Sequence, residues 1–194
     1  MAMLAVLNVL ATVFTVLRSW PQFTRIVVRK NRSGVSALTW SLALANHTIW
    51  IVYGALANEP LLIVANILAG AGCAAIVGSL RSPPTSVATT ILATATALAL
   101  LQLGENVLLI AGVSSAIAMF LPQAIRVIRS NSEGISTLAW TTSALSSITW
   151  LTWGFVRGRP ALVTAHFVML PVAIFIALNS WRHHRVAQTV CVQR

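Results

Sequence analysis

The chain has 194 residues, of which 57% are hydrophobic and 8% are charged, and its mean hydropathy is +0.83. Soluble domains carry about a quarter charged residues, so this composition excludes most soluble folds. The net charge of +10 would suggest a nucleic-acid partner in a soluble protein. No segment here is polar enough to form a solvated basic domain, so we predict an integral membrane protein that contacts the lipid bilayer and binds no nucleic acid.

Seven apolar stretches follow one another along the chain. They cover about 4–27, 37–57, 61–80, 86–103, 107–128, 136–156 and 161–181, and the breaks between them contain Gly, Pro or Asn. A helix needs about 20 apolar residues to cross a bilayer. The stretches lack the alternating pattern of membrane β-barrel strands. The sequence therefore predicts an all-α polytopic membrane protein with seven transmembrane helices.

Basic residues indicate the orientation of these helices. If the N-terminus lies outside, ten Lys and Arg residues fall on the cytosolic side, whereas Arg157 and Arg159 fall outside. This bias obeys the positive-inside rule, and we predict a plasma-membrane protein with an external N-terminus and a cytosolic C-terminus. Arg18 lies within the first stretch, and we interpret it as a side chain that reaches towards the membrane surface or pairs with a helix-end carbonyl, without a role in transport.

An internal repeat divides the chain. The residues that recur 100 positions later include Gly34, Ser36, Trp40, Trp50, Gly54 and Pro60, and the dipeptide Pro21-Gln22 recurs 101 positions later as Pro122-Gln123. Each unit contains three predicted helices, so one more helix is needed to give both units the same orientation. We predict two parallel three-helix-bundle repeats in a 3+1+3 arrangement: a first unit at 1–81, a linker helix at 82–104, a second unit at 105–182 and a basic cytosolic tail at 183–194.

The repeated motifs resemble those of a known family. Trp20-Pro21-Gln22 is followed by Ser33-Gly34-Val35-Ser36, Leu121-Pro122-Gln123 is followed by Glu133-Gly134-Ile135-Ser136, and each unit then contains a W-x-x-[YW]-G segment, at 50–54 and 150–154. This pattern resembles the PQ-loop superfamily and, within it, the seven-helix SWEET (MtN3/saliva) sugar transporters. The resemblance implies facilitative uniport of a mono- or disaccharide across the membrane by alternating access.

Two tryptophans, an asparagine and a histidine are spaced to meet at one depth. Trp50 and Asn66 are 16 residues apart, as are Trp150 and His166, with Pro60 or Pro160 between them. At ~1.5 Å per residue, all four side chains lie roughly 12 Å below the outer membrane edge. Indole faces can stack on a sugar ring while amide and imidazole groups bind its hydroxyls. We therefore predict a substrate site between the two units.

The resemblance carries substrate contacts to Trp50, Trp150 and Asn66, whereas His166 stands where the family has a second Asn. Contacts one turn before each Trp would fall on Asn46 and Ser146, and His47 would border the site. Packing anchors for the tryptophans and an inter-helix hydrogen bond for Asn66 are the alternatives. His166 either replaces the missing Asn as a neutral imidazole or titrates during transport.

Two further sets of residues are candidates for movement. Pro21-Gln22 and Pro122-Gln123 would interrupt their helices and act as inner-gate hinges, with a static kink as the alternative. At the outer side, Glu59 is expected to contact Arg159 or Arg157 as a latch, and Tyr53 and Trp153 are candidate lids. Solvated loop charges and ordinary packing are the respective alternatives.

Other functions remain open in the sequence. The rival transporter is a PQ-loop carrier of an amino acid or nucleoside, proton-coupled through His166, and a non-transporting PQ-loop receptor is the second class. The three Glu residues all lie in connections, which disfavours carboxylate-driven symport. We predict no enzyme, because the chain lacks paired mid-membrane carboxylates and a Cys/His metal pattern. We therefore assign no catalytic residue, metal or cofactor, and the sequence leaves self-association open.

Overall fold

A computed structural model describes residues 2–32, 35, 37–80, 83–102, 104–129 and 135–192. In these ranges the chain is helical and contains no strand. The α-helices are α1 (Ala2–Leu17), α2 (Trp20–Phe23), α3 (Ala37–Leu56), α4 (Pro60–Leu80), α5 (Pro83–Gln102), α6 (Glu105–Ile128), α7 (Thr137–Arg157) and α8 (Pro160–Val192). The all-helical prediction is thus confirmed for the described residues, while Gly34, Ser36, Glu133 and Gly134 of the repeated motifs lie outside them.

The first predicted span is broken, unlike its later counterpart. Helix α1 ends at Leu17, four residues before Pro21, which has no N–H to donate to the Leu17 carbonyl. The short helix α2 then leads into a π-helical turn, Thr24–Val28, closed by a hydrogen bond from the Arg29 N–H to the Thr24 carbonyl. By contrast, α6 continues without a break through Pro122. The predicted interruption of the helix is therefore present near Pro21 and absent at Pro122, and the hinge role of both prolines stays a prediction.

Two helical hairpins, α3–α4 and α7–α8, turn in the same way. Each first helix is followed within two residues by one in the left-handed region, Asn58 with φ of 53° and Gly158 with φ of 61°. The next N–H then bonds back to a glycine carbonyl, Glu59 to Gly54 at 2.9 Å and Arg159 to Gly154 at 2.8 Å. Such a turn satisfies carbonyls at the helix end. The repeat in the sequence thus corresponds to a repeat in backbone geometry.

The two units pack across each other. Helix α1 packs on α7, and α6 packs on α3, so the first helix of each unit contacts the second helix of the other. Helix α5 packs chiefly on α3 and α4. One core cluster contains both Trp50 and Trp150. This exchange of contacts brings the repeated residues of both units to the centre of the molecule.

Two described helical segments, Pro60–Leu80 and Pro160–His183, are long and apolar enough to cross a membrane. Large apolar side chains are also exposed on the outer helix faces, such as Leu92 at 69% and Phe167 at 69%. An exposed apolar surface of this kind suits contact with lipid. Helix α8 extends to Val192, eleven residues past the predicted end at 181, so much of the predicted tail is helical.

Candidate functional site

A small chamber lies where the repeated residues meet, and we call it the tryptophan chamber. Its volume is about 20 Å³. It is lined by Thr15, Arg18, Asn46, Trp50, Leu62, Asn66, Ser146, Trp150, Leu162, His166 and Met169. Six of the seven predicted substrate-binding residues therefore surround one cavity. The seventh, His47, does not line the chamber and contacts it through Asn66.

The two tryptophans are held differently. The Trp150 indole N–H donates to the Thr15 hydroxyl at 2.7 Å, and that hydroxyl lies 3.0 Å from the Ser146 hydroxyl. Trp50 packs against Gly112, where an added Cβ would lie 3.5 Å from the indole, and makes an edge-on contact with Tyr53. Trp150 is thus fixed by hydrogen bonding across the units, whereas Trp50 is fixed by packing.

Asn46 ties the two units together. Its amide donates to the Gly112 carbonyl at 3.1 Å and to the Ser115 hydroxyl at 2.8 Å. Both acceptors belong to α6, while Asn46 lies on α3 and is 2% exposed. The amide therefore anchors α3 to α6 in this conformation while also lining the chamber.

A chain of hydrogen bonds joins Arg18, His47 and Asn66. Arg18 Nη2 lies 3.2 Å from His47 Nε2, and His47 Nδ1 lies 2.7 Å from Asn66 Oδ1. A guanidinium only donates hydrogen bonds, so His47 Nε2 accepts, and the Nδ1–H donates to Asn66. The Asn66 amide then donates to the Leu62 carbonyl at 2.8 Å. Asn66 thus makes the inter-helix hydrogen bond that the sequence left as an alternative, and it lines the chamber as well.

His166 occupies the position equivalent to Asn66 without an equivalent partner. It is 8% exposed, and its Nδ1 has no hydrogen-bond partner among the described residues. A buried polar atom without a partner is costly in free energy. The ring is therefore available to bind a group that enters the chamber.

A larger cavity opens beside the Pro-Gln dipeptides, and we call it the Pro-Gln cavity. Its volume is about 100 Å³. It is lined by Arg18, Ser19, Gln22, Val35, Thr39, Trp40, Ala43, His47, Cys73, Met119, Phe120, Gln123, Ala139, Trp140 and Ser143. The glutamines of both predicted hinges thus face one space.

Ion pairs join the two hairpins at the end of the molecule where they turn. Arg159 Nε lies 3.1 Å from Glu59 Oε1, and Arg157 Nη2 lies 3.5 Å from the same oxygen. Arg159 also donates to the Ala57 carbonyl at 2.6 Å. Glu59 is 3% exposed, and Arg157 stacks on the Trp153 ring at 5.5 Å. Glu59 therefore contacts both arginines, where the sequence predicted Arg159 or Arg157, and Tyr53 and Trp153 are buried.

The interpretation of Arg18 as a side chain directed to the membrane surface is wrong. Arg18 lines both the tryptophan chamber and the Pro-Gln cavity and contacts His47. The cause is the break after Leu17 together with the packing of α1 on α7, which turns this face of the chain inwards.

Thr15 and Met169 are further chamber residues that the sequence did not single out. Thr15 lies three residues before Arg18 and therefore shares its face. An ionisable residue within a membrane span is a functional candidate by default. This rule alone would have marked Arg18, and with it Thr15, as candidates for the site. Met169 has no comparable signal in the sequence.

Fold and site together define an all-helical membrane protein with a polar chamber between two sets of helices. Residues 2–77 match a family model described as sugar efflux transporter for intercellular exchange. This match supports the assignment of the chain to the SWEET (MtN3/saliva) family and confirms the family indicated by the repeated motifs. A comparison with curated proteins found no match. The match over residues 2–77 and the apolar helices together indicate an integral membrane protein related to sugar transporters.

Proposed function

We propose that the protein is a facilitative carrier of small sugars that works by alternating access. Two parallel three-helix units in a 3+1+3 arrangement would hold the solute between them, with α5 as the linker. The proposal rests above all on the tryptophan chamber. Trp50 and Trp150 belong to one core cluster and line this chamber, as do Asn66 and its equivalent in the second unit, His166. We place the protein in the plasma membrane with its C-terminus in the cytosol.

The chemistry of the chamber suits a sugar. Two indole faces supply apolar surface for the C–H face of a pyranose ring. Asn46, Asn66, Ser146 and His166 supply donors and acceptors for hydroxyl groups. Several of these groups are bonded to each other here, so a sugar would replace protein hydrogen bonds with its own.

The cavity sizes support a carrier that is closed at the hairpin end. A cavity needs about 10–15 Å³ to hold one water molecule, so the tryptophan chamber, at about 20 Å³, has room for one or two. The Pro-Gln cavity, at about 100 Å³, has room for several more. The chamber must therefore widen to admit a sugar, and the nearest larger space lies on the Pro-Gln side.

The chemistry of the lining supports the proposal of passive transport. Among the described residues, no carboxylate lines either cavity. Glu59 is engaged by two arginines at the hairpin end. Coupling to protons would thus lack the carboxylate that usually carries them, and uniport is the simpler mechanism.

Uptake of radiolabelled sugars into proteoliposomes tests the proposal. We expect Trp50→Ala and Trp150→Ala each to lower uptake at least tenfold, because each loses one stacking face, of about 1.5 kcal/mol. Trp181→Ala is the matched control, since Trp181 is 44% exposed and lies outside both cavities. No uptake by the wild type of any mono- or disaccharide, or equal losses in all three variants, would contradict the proposal.

The hinge is tested separately. We expect Pro21→Ala to slow uptake by restoring a continuous first helix, and Pro122→Ala to have a smaller effect because α6 is already continuous. If the double variant transported at the wild-type rate, the Pro-Gln segments would be static elements of the fold.

A further inference from the structure

Arg18 is a cation between the two cavities that sugar transport does not explain. It lines both the tryptophan chamber and the Pro-Gln cavity. A neutral sugar needs hydrogen-bonding groups, and the chamber already has them in Asn46, Asn66 and Ser146. A charge in the interior of a membrane protein is costly unless it is paired. The position of Arg18 therefore requires a partner of opposite charge.

Among the side chains that the structure describes, which do not include those of Glu105 and Glu133, no carboxylate pairs with Arg18. Both ion pairs among them involve Glu59, which is held at the hairpin end by Arg157 and Arg159. Glu105 begins α6, fifteen residues before Phe120 of the Pro-Gln cavity, which is roughly 22 Å along a helix at 1.5 Å per residue. The remaining acidic residue, Glu133, lies outside the described residues.

Its neighbours hold Arg18 in place without neutralising it. His47 accepts one N–H from Arg18 and passes a hydrogen bond to Asn66, so the imidazole is neutral in this arrangement. Arg has five N–H donors in a planar fork that matches a carboxylate. A neutral His thus orients the guanidinium and leaves it donors and a full charge for a ligand.

Among the described lining residues, Arg18 is the one Arg or Lys, and its equivalent in the second unit is uncharged. The offset of 101 that relates Pro21 to Pro122 places Met119 opposite Arg18, and Met119 lines the same cavity. A ligand with one charged end would therefore bind in one orientation. A phosphate carries about −1.5 to −2 at neutral pH and would remain partly unpaired, whereas a carboxylate matches one guanidinium.

We propose that the solute is a monoanionic sugar acid whose carboxylate binds Arg18 while its ring lies between Trp50 and Trp150. This inference rests on the proposed function and specifies its substrate class. His166, with its unpartnered Nδ1, and Ser146 then bind ring hydroxyls on the side of the second unit. The carboxylate lies towards the Pro-Gln cavity and the ring towards the hairpin end.

The experiment compares D-glucuronate with D-glucose, which differ in a carboxylate at the sixth carbon. Binding of each is measured by calorimetry on purified protein, and uptake of each is measured in proteoliposomes. We expect the wild type to bind glucuronate about tenfold to a hundredfold more tightly, the range given by hydrogen bonds to a charged group. Arg18→Gln should remove this preference, and Arg18→Lys should restore part of it.

Arg29→Gln is the matched control, because it removes the same charge from an exposed position outside both cavities. Thermal unfolding of each variant shows whether it is folded, and the ratio of glucuronate binding to glucose binding is compared between each folded variant and the wild type. If glucose moves and glucuronate does not, the sugar-acid inference is overturned while the proposed function stands. If Arg18→Gln keeps the glucuronate preference, Arg18 is not the carboxylate-binding residue. If neither sugar moves, the proposed function itself fails.

Discussion

The two predicted three-helix units have similar hairpins but different polar interiors. In the first unit, Arg18, His47 and Asn66 form a continuous hydrogen-bonded chain. The equivalent positions of the second unit hold Met119, Ser147 and His166, and Nδ1 of this His has no hydrogen-bond partner among the described residues. At the chamber, Asn66 of the first unit is thus hydrogen-bonded on both sides of its amide, whereas His166 of the second unit keeps one ring nitrogen without a partner among the described residues.

This difference suggests different roles for the two units in binding a solute. Satisfied buried polar networks make a structure rigid, because each group would lose its partner if the arrangement changed. An incomplete site instead gains a partner when a ligand arrives. We infer that the first unit provides a preformed wall for the solute and that the second unit adjusts to it.

The largest expected effect is on the hydrogen-bonded chain. His47→Ala leaves both Arg18 Nη2 and Asn66 Oδ1 without their partner, and we expect it to lower the free energy of unfolding by about 3 kcal/mol or more. Ser147→Ala, at the equivalent buried position, should cost about 1 kcal/mol. Thermal unfolding in detergent, followed by tryptophan fluorescence, measures both. Equal shifts would contradict the difference between the units.

The hairpins differ in how closely their helices approach. A Cβ at Gly154 would lie 3.0 Å from the Val163 backbone nitrogen, whereas at Gly54 the closest atom is a movable Ile63 side-chain carbon at 3.0 Å. We expect Gly154→Ala to destabilise by about 1–3 kcal/mol and Gly54→Ala by less. The same unfolding assay checks this, and a larger loss for Gly54→Ala would reverse the ranking.

The ion pair at the hairpin end joins the two units. Weakening it tests whether the units separate at this end. Glu59→Gln weakens the contact with Arg159, and we expect about 1 kcal/mol, or roughly a fivefold rise in opening at this end. The rate at which an impermeant maleimide labels Leu62→Cys, with native cysteines replaced by serine, measures that opening.

Arg157→Gln is the matched control for this contact, because its pair is longer at 3.5 Å and more exposed. Exchange of both charges, Glu59→Arg with Arg159→Glu, should restore slow labelling. If the exchanged pair labels as fast as the single variants, the contact does not act as a latch.

The smallest effect is expected where the second unit is made to resemble the first. His166→Asn keeps a hydrogen-bonding side chain in the chamber, so we expect sugar uptake within about threefold of the wild type, a cost below about 1 kcal/mol. Any dependence of uptake on pH should weaken. Complete loss of uptake would mean that His166 does more than replace an amide.

Much of this arrangement could be predicted because an α-helix rises by a fixed distance per residue. The number of residues between a side chain and its hairpin turn therefore gives the depth of that side chain in the membrane. Trp50, Asn66, Trp150 and His166 are equally far from their hairpin turns, and the structure places all four around one chamber. The family followed from motifs that recur at matched spacing. Both inferences use distances along a single helix or hairpin, where the sequence determines the geometry.

What could not be predicted depends on contacts between distant helices. The inward direction of Arg18 depends on the packing of α1 against α7, and the partners of Asn46 lie on α6, 66 and 69 residues away. Likewise, the same Pro-Gln dipeptide breaks the first helix and leaves α6 continuous. These features follow from tertiary contacts rather than from local residue preferences.

Cys73 gives the protein a chemical reporter of its own. It is a free thiol, 1% exposed, and it lines the Pro-Gln cavity, whereas the equivalent position of the second unit is Ala173. With Cys191 replaced by serine, the rate of alkylation of this single thiol would follow the opening of one end of the carrier in real time. A solute that closes the cavity would slow the reaction, and its half-saturating concentration would give an affinity without any transport measurement.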